Sequence, residues 1–114
     1  MIRFLLFLIT ILLVNAYPQD LSKLPNGNSY GLTLGHPGGA TKKTTGIANA
    51  LYSAGKKWAT PVCKGDADGD GQSNGLEMGD PCCVWTVGAV PMFTTGLSDP
   101  NSATSTTLRV MPKC

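Results

Sequence analysis

CKGDADGDGQSNGLEMGDPCC, residues 63–83, sets three aspartates at alternate positions, Asp66, Asp68 and Asp70, with Gly71 directly after them and Glu77 six residues further on. Every specified position of the pattern D-x-[DN]-x-[DN]-G-x5-E is met. Such a loop curls tightly enough to aim side chains 1, 3 and 5 at one centre, with glycine at position 6 for the sharp turn. Six to eight hard oxygen ligands are what Ca²⁺ requires. The expected set is Asp66, Asp68, Asp70, the main-chain carbonyl of Gln72, Asn74 directly or through a water, and Glu77 with both oxygens.

The competing reading is a solvated acidic turn, because Asp and Gly are also common turn residues. Charge favours the metal. Asp66, Asp68, Asp70, Glu77 and Asp80 are five of the seven acidic residues of the chain, and such crowding repels itself unless a cation sits within it. An ordinary EF-hand is not expected. Pro61 and Gly65 precede the loop and do not read as an entering helix. Leu76-Glu77-Met78 makes at most one turn before Gly79-Asp80-Pro81 stops it. With no sister loop, the site reads as structural rather than as a sensor, with affinity in roughly the 10⁻⁴ to 10⁻³ M range of extracellular modules.

Working outward, residues 1–16 read as a secretory signal peptide. Arg3 precedes an apolar run from Phe4 to Val14, and Val14 and Ala16 are small enough to flank a cut before Tyr17. The run is short of the roughly twenty residues that span a bilayer. Residues 17–114 then form a single secreted, extracellular domain with no membrane attachment after cleavage. Its basic and acidic residues nearly balance, so no global field points to nucleic acid.

A domain of this size buries a modest core and benefits from staples. Cys63, Cys82, Cys83 and Cys114 are an even number in an oxidising compartment, and two disulfides are expected. Pairing Cys82 with its neighbour Cys83 would force a strained small ring. Two pairings stay open: Cys63 with Cys83 and Cys82 with Cys114, or the converse. In either, one bridge closes the acidic loop, worth on the order of 3 kcal/mol in the chain-entropy model. Zinc is disfavoured by the absence of C-x2-C spacing.

Elsewhere, residues 17–45 are rich in turn signals, and only YGLTL at 30–34 suggests a short strand. GIANALYSAG at 46–55 is the best helix, with Ile47, Leu51 and Ala54 on one face and Gly55 as its stop. Trp58 and Trp85 are expected in the core. The segments VWTVGAVPMF and ATSTTLRVM are β-prone and spaced for an antiparallel pair. The fold class is thus a small mixed α+β, loop-rich, disulfide-stapled domain with one EF-hand-like calcium loop lacking full flanking helices.

The residues offer little for catalysis. A hydrolytic triad needs a histidine placed by a partner, and the single histidine, His36, stands in a glycine-proline loop; copper or zinc catalysis needs two or three nitrogen ligands, which this chain cannot supply by itself. The carboxylates are assigned to calcium and the cysteines to disulfides, so no enzyme is expected. The alternative is a secreted enzyme or accessory subunit using a surface metal near His36, and a dockerin-like role would require a second loop.

LPNG at Leu24–Gly27, LGH at Leu34–His36 with Gly38-Gly39 after it, the Trp58-to-Cys63 spacer and the run from Cys63 to Trp85 resemble the temptin family. Temptin-like domains are small secreted proteins, named for a component of a water-borne molluscan mating pheromone. The resemblance implies a disulfide-stapled, metal-binding extracellular module that meets a protein partner, and it implies the pairing of Cys63 with Cys83. The expected function is a secreted, calcium-binding interaction or signalling protein with a node at residues 63–85.

Overall fold

Glycine and proline interrupt this chain so often that no described helix exceeds eight residues. The computed structural model describes residues 21–31, 34 and 46–114. The expected signal peptide and His36 lie outside them. Four helices follow one another: α1 (Gly27–Tyr30), α2 (Gly46–Ser53), α3 (Thr60–Lys64) and α4 (Asn74–Met78). None of the described helices is long and apolar enough to cross a membrane.

Helix α2 is the one expected from periodicity, and it turns Ile47 and Leu51 into the core. Residue Gly55, at φ 70°, ends the turn that follows. Helix α3 was not expected, since Pro61 reads as a breaker. Proline is harmless in a first turn, where its missing N–H has no intrahelical acceptor, and Pro61 occupies that place. Helix α4 begins at Ser73, whose Oγ accepts from the Leu76 N–H at 3.0 Å. It ends at Gly79, φ 93°, which donates to the Gly75 carbonyl.

Helix α3 packs on α4 and touches α2, so the acidic loop is carried between two short helices. Leu24, Leu34, Ile47, Leu51, Val62 and Met78 make the core, with Tyr30, Ala54 and Trp58 packed against it. Each such side chain contributes about 1.5–3 kcal/mol when fully buried. The turn at Leu24–Gly27 fastens to α4 through Asn26, whose Nδ2 donates to the carbonyls of Met78 at 2.8 Å and Phe93 at 2.9 Å. Gly79 lets these approach: a Cβ there would stand 2.2 Å from the Phe93 oxygen.

The mixed α+β expectation is corrected, because no strand forms among the described residues. Tyr30 belongs to α1 rather than to a strand. The segments 84–93 and 103–111 do run near one another but are tied by side chains. Thr107 Oγ donates to the Gly96 carbonyl at 2.7 Å, the Arg109 guanidinium lies 3.5 Å over the Phe93 ring and bonds the Thr95 carbonyl, and Cys114 is bridged to Cys82. Gly88 and Pro91 interrupt the first segment, and the Ala89 N–H is taken by Thr86 in a turn. These local features outweigh β-propensity. Trp85 is corrected as well: it is only partly buried and its indole N–H donates to the Ala89 carbonyl at 2.7 Å. Trp58 is packed on the core as expected.

Candidate metal centre

The acidic loop folds on itself through its own main chain. Asp66 accepts from the N–H groups of Gly69 at 2.9 Å and Gly71 at 2.8 Å, Asp68 from that of Asp70 at 3.2 Å, and Asp70 from that of Gln72 at 2.8 Å. Positive φ at Gly69 and Gly71 permits the tight curl. Oxygens of Asp66, Asp68 and Asp70 all lie within 4.8 Å of one another. Glu77, from the first turn of α4, is fully buried and stands outside that group of three, close enough for the charges of Asp68 and Asp70 to act on it.

These carboxylates are incompletely satisfied. Asp68 Oδ2, Asp70 Oδ2 and Glu77 Oε2 are buried with no hydrogen-bond partner. Glu77 receives one bond, from Ser98 Oγ to Oε1 at 2.9 Å. Burial, relieved in part by Ser98 and reinforced by the charges of Asp68 and Asp70, pushes its carboxyl up to about 8. Burial and the neighbouring Asp66 and Asp70 push Asp68 up to about 6. Burial also works against the charge of Asp66, but donation from Gly71, with further bonds from Asp68, Gly69 and Asp70, leaves it below the usual range.

Asp80 is the instructive contrast. It too is fully buried, yet it takes the N–H of Val84 at 3.0 Å on Oδ1, and on Oδ2 the Trp58 indole N–H at 2.7 Å and the Trp85 N–H at 3.1 Å. Three donors satisfy both oxygens of this buried group, and Asp80 organises the disulfide node. Its neighbours are the bridges Cys63–Cys83 and Cys82–Cys114, the pairing implied by the family resemblance. The first spans 20 residues and encloses the acidic loop; the second spans 32 and ties down the C-terminal segment.

Two of the expected ligands are employed otherwise through their side chains. Asn74 is buried, its Nδ2 donating to the Val62 carbonyl at 2.8 Å and its Oδ1 accepting from the Ala67 N–H at 3.0 Å, so it braces the loop against α3. The Gln72 amide reaches Thr107 in both senses, Nε2 donating to its carbonyl at 2.8 Å and Oε1 accepting from its N–H at 2.9 Å. This clamp and the Asp80 hub are absent from the motif. Only the Asp80-Pro81 dipeptide hints at the hub, as a turn start.

All-oxygen donors, three of them carrying unpartnered buried atoms, fit a hard divalent cation of the Ca²⁺ type. Among the described residues no nitrogen or sulfur ligand joins them.

Two disulfides around a helix–acidic loop–helix unit define a small cysteine-stapled module of the kind found in oxidising, extracellular compartments. The chain belongs to the temptin family: the family model described as Temptin C-terminal matches residues 14–102. Temptin of Aplysia californica is 39% identical, over 77% of this chain and 78% of that protein. No solved structure matches.

Proposed function

We propose that this chain is a secreted, calcium-stabilised interaction protein of the temptin kind, acting as an extracellular signal or signal carrier by contact with a protein partner and without turnover. Asp66, Asp68, Asp70 and Glu77 hold the cation through carboxylates and Gln72 through its main-chain carbonyl, while Asn74 braces the loop. The observation that supports this is the set of unpartnered buried oxygens on Asp68, Asp70 and Glu77. Leaving such charges buried without a counter-ion costs several kcal/mol, and one cation relieves all three.

The role of the metal is structural. Loop 66–77 joins α3 to α4, Gln72 joins it to the C-terminal segment, and Glu77 joins it to Ser98. Calorimetric titration of Ca²⁺ into the oxidised, EDTA-stripped mature chain, with Mg²⁺ as control, tests the reading. Binding of one Ca²⁺ per chain supports it, and absence of heat up to about 10 mM, above the weakest extracellular sites, rejects it.

A further inference from the structure

Residues 81–114 contain three charged side chains, Asp99, Arg109 and Lys113, and seven large apolar side chains stand exposed along them: Val84, Val87, Val90, Met92, Leu108, Val110 and Met111. Leu108 is 99% exposed and Val110 84%. The ties from Thr107 to Gly96, Arg109 to Phe93 and Cys114 to Cys82 lay the C-terminal segment alongside residues 82–96, so the two segments that carry these side chains are neighbours on the surface. Together they offer on the order of 800 Å², about one partner's share of a standard interface. Monomers rarely leave so much apolar surface open.

The backbone of the segment is equally incomplete. From Thr107 to Val110 the side chains alternate inward and outward, Thr107 buried and Leu108 exposed, Arg109 half-buried and Val110 exposed, which is the habit of a strand. Both main-chain groups of Thr107 are taken by the Gln72 amide, which stands in for a neighbouring strand on that edge. In an extended chain the N–H and C=O groups of Leu108 and Val110 point to the opposite edge. Residues 106–114 make no main-chain to main-chain hydrogen bond with any described residue. A β-prone segment is therefore extended and bonded on one edge by a side-chain amide, with no main-chain partner among the described residues on the other.

We propose that the occupant of this face is a second copy of the chain, joined segment to segment in antiparallel register about a twofold axis at Arg109. With Arg109 beside its equivalent, Leu108 of each copy pairs with Val110 of the other, and those two residues supply the free hydrogen-bonding groups. The exposed side chains then form two Leu–Val cross-strand pairs on one face. The two Arg109 side chains share the other face, a like-charge cost that is reduced because each guanidinium is held over its own Phe93. An apolar, nearly uncharged surface is complementary to itself, as a twofold interface requires.

Sedimentation equilibrium of the oxidised mature chain from about 1 to 300 µM, the range in which modest interfaces dissociate, tests this, alongside amide exchange at low and high concentration. Expected are a monomer–dimer equilibrium, slower exchange of Leu108 and Val110 amides at high concentration, and at least a tenfold weaker dimer for both Leu108→Glu and Val110→Pro, with near-ultraviolet circular dichroism unchanged. A monomer at every concentration, or a dimer indifferent to both substitutions, overturns the proposal. Binding of the monomer to phosphatidylserine vesicles, lost in Leu108→Glu and unaccompanied by self-association, also overturns it and gives the face to lipid.

Discussion

Glu77 is fully buried, and among the described residues its carboxylate takes one hydrogen bond, from Ser98 Oγ to Oε1 at 2.9 Å, which leaves Oε2 without a partner while the charges of Asp68 and Asp70 act on it. A cation or a proton must complete it. Replacement by glutamine removes the charge and keeps the Ser98 bond. Glu77→Gln is therefore expected to weaken Ca²⁺ binding by about a hundredfold or more, the cost of losing a bidentate ligand, while making the metal-free protein more stable than wild type at pH 8. Calcium titration and melting in EDTA check the two halves. A variant that binds normally, or is weaker in EDTA, contradicts the assignment.

Protonation is expected to relieve in part what the proposed cation would. The folded-state carboxyl of Glu77 is raised to about 8, and that of Asp68 to about 6. A raised group stabilises the fold below its unfolded value and ceases to do so as pH climbs through its folded value. The metal-free protein is thus expected to lose stability between about pH 4.5 and 8, and its melting temperature should fall by ~5 °C or more. Saturating Ca²⁺ should flatten that slope and release protons on binding near pH 7. Melting curves across this range in EDTA and in Ca²⁺ show whether the slope exists.

The clamp between Gln72 and Thr107 joins residues 35 apart in sequence. Gln72→Ala keeps the main-chain carbonyl proposed as a ligand but removes both bonds. Expected are a loss of about 1–2 kcal/mol and faster amide exchange at Thr107, with Ca²⁺ affinity changed only a few-fold. Unaltered exchange at Thr107 contradicts the clamp.

Gly75 gives the most sensitive packing test. A Cβ there would lie 2.4 Å from Cys63 Sγ and 2.4 Å from the Asp80 carbonyl oxygen, both fixed by the Cys63–Cys83 bridge. Gly75→Ala is expected to cost upwards of about 3 kcal/mol and to lower the yield of correctly bridged protein. Alanine at the exposed, unhindered Gly88 keeps the bridges intact by comparison, although its positive φ makes the substitution mildly unfavourable. Free-thiol titration and disulfide mapping compare the two.

What could be read from the sequence was local. Asp66, Asp68 and Asp70, whose oxygens lie within 4.8 Å of one another, stand at alternate positions, and Ile47 with Leu51 follow a helical period, so both groupings were visible without tertiary knowledge. Helix α3 was hidden because Pro61 forbids a helix interior but not a first turn. Strands were expected at 84–93 and 103–111 on propensity alone, and side-chain ties from Gln72, Thr107 and Arg109 took the place of a ladder. Asp80 looked like one more acid of the cluster. Its three donors, from Trp58, Val84 and Trp85, come together only when the disulfides fold the node, and they separate a structural carboxylate from the proposed ligands.

The measurement that bears most directly on the central claim is thermal unfolding of the oxidised wild-type protein at pH 7.5 in EDTA and in about 10 mM Ca²⁺, a concentration at or above the weakest extracellular site affinities. Preferential binding to the folded state must raise the melting temperature as RT ln(1 + [L]/Kd), so an increase of ~5 °C or more that Mg²⁺ does not reproduce is predicted. Identical melting curves in EDTA and Ca²⁺ would contradict the account and leave the acidic loop as a turn held by its disulfides alone.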